Sequence, residues 1–164
     1  MRMKWLAPWM LGAILSPPLQ AADVLNVKLM TLDLARDIAS HTLDTCRKQG
    51  YRVVVVVVDR DGAPQVVLRD VYVSRFATEI AERKAGAVIL SGVSSGELRK
   101  NRDDIHAELN EIAGVLLVQG GLPIRAGGSL IGAVGVSGAP GGDKDEACAA
   151  AGIKAVQERL DFVE

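Results

Sequence analysis

Only two imidazoles, His41 and His106, occur in the 164-residue chain, and neither has a second ligand motif beside it. Within Arg102–Glu111, Asp103 and His106 fall one helical turn apart. A carboxylate at that spacing can orient an imidazole for metal binding or proton transfer, so His106 is the candidate metal ligand. A solvated charged helix face is the plainer reading of the same residues. His41 lies near the apolar stripe of the first amphipathic segment, where a half-buried packing histidine is the ordinary expectation. Gly92-Val93-Ser94-Ser95-Gly96 has the Gly-x-Ser-x-Gly form of a nucleophile elbow, which works because a sharp strand-to-helix turn exposes the serine. A helical pattern precedes it here, so the stretch predicts a loop between helices. No Gly-x-Gly-x-x-Gly or Walker-type loop is present.

Gly120-Gly121-Leu122-Pro123 and the run Gly132 to Asp143 are the glycine-rich parts of the chain. Gly132 and Gly135 weaken a strand interior, so something must approach the backbone there, either a ligand or a packed helix. The loop from Ser137 to Gly142 leads into a helix N-terminus whose amides could take a carboxylate, unless Asp143 caps them itself. Cys46 and Cys148 are the only cysteines and fit no zinc or Cys-x-x-Cys spacing. Each falls on an apolar helical stripe, so two inert buried thiols are expected, with a bridge between the first and last helices as the alternative.

The elements that must position these residues follow from periodicity. Thr31 reads as an N-cap, and Leu32, Ala35, Ile38, Ala39, Thr42 and Cys46 recur at helical spacing until Gly50. Val53–Val58 is six consecutive valines, a central strand with both faces covered. Asp59-Arg60-Asp61-Gly62 turns it into a hairpin with Gln65–Arg69. Helices are expected from Ser74 to about Leu90 and from Glu97 to Ile112. Strands then follow at Val115–Gln119, Leu122–Arg125 and Ser129–Val136. Asp143-Lys144-Asp145-Glu146 has the Asp-x-x-Glu form of a capping box and opens a helix to about Leu160. The fold class is α+β, with an antiparallel sheet of five strands.

Composition narrows the function classes. Apolar residues are 49% and charged residues 24% of the chain, which supports a packed core. A net charge of -1, with no basic cluster denser than Arg99-Lys100-Asn101-Arg102, excludes a nucleic-acid partner. Met1-Arg2-Met3-Lys4, the apolar run Trp5–Leu15 and Pro17-Pro18-Leu19-Gln20-Ala21-Ala22 form the pattern of a secretory signal peptide over residues 1–21. A single periplasmic or secreted domain over residues 22–164 is the expected product.

Val53–Asp59 with Gly62, Arg69-Asp70, Lys84-Ala85, Gly120-Gly121-Leu122-Pro123-Ile124 and Gly132-Ala133-Val134-Gly135-Val136-Ser137-Gly138-Ala139-Pro140 with Asp143 and Asp145 resemble the GlcG/HbpS-like family, often called the haem-degrading domain. The resemblance covers about residues 31 to 160. It implies a profilin-like, five-stranded antiparallel sheet with helices on both faces, and a homo-oligomer, often an octamer. It also implies haem as a cofactor and a role in haem storage, transport or sensing of oxidative stress, with a membrane sensor as a further partner. A small-molecule lyase or isomerase using the glycine-rich pocket is the alternative, and a non-catalytic accessory subunit of a sensor or oxidation system is another. Ser95 stands where a haem-binding relative carries an iron-contacting threonine, and His41 corresponds to a haem-ligating histidine of another relative. The ligand-site residues that the resemblance and the motifs give together are therefore His106, His41, Ser95, Gly120, Gly121, Pro123 and Gly135.

Overall fold

A computed structural model describes residues 25–162; the expected signal peptide lies outside them. Helix α1 spans Leu32–Lys48, and the Thr31 hydroxyl accepts the amide of Leu34 at 3.3 Å. Its stripe of Leu34, Ala35, Ile38, Ala39, Thr42, Leu43 and Cys46 is buried, as the spacing requires. The hairpin β1 (Val54–Asp59) and β2 (Pro64–Arg69) closes on Asp59, whose Oδ1 accepts the amides of Asp61 and Ala63, each at 2.9 Å. Helix α2 (Phe76–Ser91), helix α3 (Ser95–Asn101), a 3-10 turn (Asp103–Ile105) and helix α4 (His106–Asn110) follow. Strands β3 (Gly121–Ala126) and β4 (Ser129–Ser137) lead to α5 (Gly142–Lys154) and α6 (Gln157–Asp161).

The sheet is antiparallel, in the order β2-β1-β4-β3. Every valine from Val53 to Val58 is fully buried because β1 is central and covered twice. Val53, Val55 and Val57 pack with α1 and α5, while Val54, Val56 and Val58 pack with Ala77, Ala81, Ala85 and Val88 of α2.

Four strands form where five were expected. Val115 and Leu117 are buried as an alternating strand would bury them, but they pack with Ala87 and Leu98 away from the sheet. Their polar backbone groups are already committed. Leu116 N donates to Arg83 O at 2.9 Å, Leu117 N to Asn110 Oδ1 at 2.8 Å, and the Arg83 guanidinium donates to Val115 O. Gly86 permits this approach, since a Cβ there would collide with Gly114 O.

The expected single helix from Glu97 to Ile112 is broken at Arg102, whose φ of -126° and ψ of 40° leave the helical region. The capping box also fails. Gly141 is the N-cap of α5 with no side-chain bond, so Asp143 lies in the first turn and does not cap the helix, and Glu146 Oε2 reaches no backbone amide. Cys46 and Cys148 are not free thiols but a disulfide, with Cα atoms 5.5 Å apart. The cause is a close crossing of α1 and α5: a Cβ on Gly152 would collide with Thr42 Oγ1, and the bridge lies one turn along each helix.

Candidate functional site

Helix α2 turns an apolar stripe of Ala81, Ala85 and Val88 toward the sheet, and Lys84 sits beside it, 2% exposed. A buried ammonium needs acceptors, or its desolvation goes uncompensated. Lys84 Nζ donates to Val136 O and to Asp145 Oδ2, each at 2.8 Å, and Asp145 Oδ1 accepts the Ala139 amide at 3.0 Å. Burial pushes the Asp145 carboxyl above its usual range, with the Lys84 ammonium acting against that rise. The pair joins α2, the end of β4 and the first turn of α5.

Gly120 and Gly121 make room for it. Gly120 has φ 125°, and a Cβ there would lie 2.7 Å from Lys84 Nζ and 2.9 Å from Asp145 Cβ. A Cβ on Gly121 would lie 2.5 Å from Lys84 O and 3.0 Å from Ser95 Oγ. Gly135 pairs with Gly121 across β3 and β4, and there a Cβ would collide with Ala81 O. The close approach expected at Gly135 is therefore made by a helix and not by a ligand.

Ser95 is fully buried. Its hydroxyl donates to Val118 O at 2.8 Å and accepts the Gly121 amide at 2.9 Å, so it anchors the chain that enters β3. Ser94, the serine at the elbow position, is the N-cap of α3 and accepts the Glu97 amide at 3.1 Å. Thus Ser95, Gly120, Gly121 and Gly135 come together around Lys84, and Pro123 lies further along the edge strand β3, opposite Ala133.

Beside this cluster is an open cleft of about 470 Å³. Glu97, Arg99 and Lys100 of α3 form one wall, and Gln119 and Glu146 form the other. Gly96 lets the walls meet, because a Cβ there would lie 2.9 Å from Gln119 Cγ and 3.3 Å from Glu146 Oε2.

The histidines stand apart from this cluster. His41 is exposed rather than half-buried, on α1 across the sheet from α2. The His106 side chain is 44% exposed, and its Nδ1 lies 3.0 Å from Asp103 O, with Asp103 Oδ1 at 3.8 Å. A carbonyl only accepts, so Nδ1 carries the proton and Nε2 of the neutral ring keeps a lone pair. The orienting partner of His106 is the Asp103 backbone more than its carboxylate.

The model of the haem-degrading protein HbpS-like family matches residues 30–154. The chain belongs to the HbpS-like family. A crystal structure of HbpS is 34% identical, with a TM-score of 0.77 over 84% of this chain and 96% of that one. ORFY of Klebsiella pneumoniae, 22% identical, has a TM-score of 0.77 over 88% of this chain and 99% of its own. A PduOC:heme complex, 21% identical, has a TM-score of 0.68 over 78% and 95%. The last two show the shared fold. A search of curated proteins gives no match.

In this HbpS-like chain the residues that sequence reasoning passed over as a site are Lys84, Asp145, Gln119 and Glu146. One signal was present. A lysine next to an alanine-rich buried stripe demands an acid, and Asp145 follows the glycine-rich loop that Gly120 and Gly135 serve.

Proposed function

We propose that the protein is an exported binding protein for haem or a related planar ligand, acting in haem storage, transport or redox sensing, with His106 as the iron ligand. The observation that carries this reading is the hydrogen bond from His106 Nδ1 to Asp103 O, which fixes the tautomer whose Nε2 can ligate iron. Among the described residues the His41 ring has no such orienting bond. Ser95 does not fit an iron ligand, since both its donor and an acceptor position are used inside the protein. Nor does the cleft, whose lining has no imidazole, thiolate, thioether or phenolate. Half-buried Ile105 and Leu109 beside His106 fit the apolar face of a porphyrin. Haem, when bound, supplies a redox-active iron; His106 binds it, and the Asp103 carbonyl holds the ring. The family description and the heme complex of a structural neighbour support the ligand class.

Export is supported by the basic-then-apolar N-terminal sequence and by the buried Cys46–Cys148 bridge, a linkage favoured in oxidising compartments. A homo-oligomer is supported by Val71, Tyr72 and Phe76, which are 64%, 92% and 58% exposed along one short stretch. A membrane sensor as partner belongs to the same reading. The lyase or isomerase alternative loses its pocket, because the space over Gly120, Gly121 and Gly135 is filled by Lys84 and Ala81.

The test is the Soret band of the ferric complex in the parent, His41→Ala and His106→Ala proteins. A shifted or lost band in His106→Ala alone is expected. An unchanged spectrum in the double variant overturns histidine ligation, and no band in the parent overturns the ligand class. Light scattering at micromolar concentration checks assembly, and a monomer mass defeats it.

A further inference from the structure

The cleft between α3 and α5 contains charges of both signs that do not meet. Arg99 and Lys100 stand on the α3 wall together with Glu97, and Glu146 stands on the other. Among the described residues, none of these four side chains makes an ion pair or hydrogen bond, and the Gln119 amide makes none either. Glu146 Oε2 is buried without a partner, where a buried carboxylate oxygen ordinarily has at least one donor.

Three features hold these groups in place. Glu146 directly follows Asp145, which Lys84 locks, and Gln119 directly precedes Gly120, which closes over Lys84 Nζ. Gly96 contributes the third constraint, since a side chain there would push Gln119 and Glu146 apart. The acceptor and the amide are thus fixed by the buried pair before any ligand arrives.

We infer that this cleft is a second ligand site, independent of haem, and that it takes a small zwitterion. The carboxylate of that molecule lies toward Arg99 and Lys100, and its ammonium group lies toward Glu146 and Gln119. A wholly anionic ligand such as phosphate meets Glu146 and Glu97. An apolar ligand finds no large hydrophobic side chain in the lining. A divalent cation would need a cluster of at least three His, Cys, Asp or Glu, and the described residues contain none. A molecule with one charge of each sign satisfies both walls, as charge-assisted hydrogen bonds require.

The experiment is a titration of the disulfide-intact, haem-free protein, followed through the amide resonances of Gly96 and Gln119. The probes are glycine, β-alanine, 4-aminobutyrate and 5-aminopentanoate, with butyrate and butylamine as one-ended controls. At least one zwitterion is expected to shift both amides saturably and to bind more tightly than either control. Glu146→Gln, which keeps the side-chain shape, should weaken that zwitterion by about tenfold or more, the scale of one hydrogen bond to a charged group, and leave butyrate unchanged. Should that variant misfold, the exposed pair Arg99→Ala with Lys100→Ala gives the second reading and should weaken both the zwitterion and butyrate. The proposal is overturned if no zwitterion shifts these amides up to about 50 mM, well past the weakest useful affinity. It is equally overturned if the controls bind as well, or if neither variant weakens the zwitterion. The Soret titration of Glu146→Gln should match the parent, which keeps this test separate from the haem reading.

Discussion

Replacing Lys84 by Met removes the one cation that faces Asp145 among the described residues and leaves a carboxylate 4% exposed beside Val136 O. Methionine fills most of the lysine's volume, so the loss is electrostatic more than steric. Removing one partner of a buried ion pair costs about 3–5 kcal/mol, far above the value of an exposed pair. For a domain of this size that corresponds to a fall in Tm on the order of 10–20 °C. The pH dependence carries the sharper prediction. Burial already raises the Asp145 carboxyl in the parent, and without Lys84 the rise must grow. A raised carboxyl pKa gives a contribution that is fully present below the unfolded value and is lost as pH rises through the folded value. The penalty of Lys84→Met should therefore be largest near neutral pH and shrink as the solution is made acidic enough to protonate Asp145. Urea unfolding across the acid range measures it, with Lys84→Met/Asp145→Leu as the companion that removes both charges and recovers much of the loss. A neutral-pH penalty below about 1 kcal/mol, the level of an exposed pair, or one that does not change with pH, would refute the account.

Gly135→Val should destabilise far more than Gly127→Val, because the new side chain drives into the α2 backbone at Ala81 O, whereas Gly127 lies exposed in a turn, with a φ of 52° that a side chain strains. Comparison of the two melting temperatures decides this, and equal values would count against it. The Cys46→Ala/Cys148→Ala variant should lose about 2–5 kcal/mol, as expected for a bridge closing a separation of 102 residues, and should keep the parent's far-ultraviolet spectrum. A variant with unchanged stability in guanidinium would show that the α1–α5 crossing needs no bridge.

The parts of this fold that could be read from sequence are those whose signal is local. Thr31 and the 3-4 spacing of Leu34 to Cys46 make α1 from neighbouring residues alone, and the valine run needs only its own β-branched uniformity to demand two covered faces. Val115–Gln119 misled because its alternation is real, while the partners of its amides are the carbonyl of Arg83 in α2 and the side chain of Asn110 rather than a neighbouring strand. Asp143 and Glu146 misled for the opposite reason, since the capping-box spacing was present but α5 begins two residues earlier, at the N-cap Gly141, which leaves Asp143 inside the first turn. The disulfide depended on how closely α1 and α5 cross, which is set by Gly152 facing Thr42 and is invisible in either cysteine's surroundings. At the candidate site the glycines announced a close approach, but which atoms would come close was a matter of topology.

The valine strand has one more consequence, for how the chain finds its alignment. Five identical side chains from Val54 to Val58 give β1 no landmark before Asp59, and sliding it by two residues would return every valine to the same face. The landmarks are on its neighbour. Gly135 stands opposite Val56 and Gly132 opposite Asp59, and each accepts a backbone or methyl group that no larger residue could admit. A slip of two would bring Ala133 or Ser137 to the level of Val56, and α2 and the rest of the sheet would no longer agree on where the bare positions belong. In a misaligned pairing the bare backbone of Gly135 would no longer lie under Ala81 O, so α2 could not pack as it does. The repetitive strand supplies cohesion, and the two glycines of β4 act as its ruler.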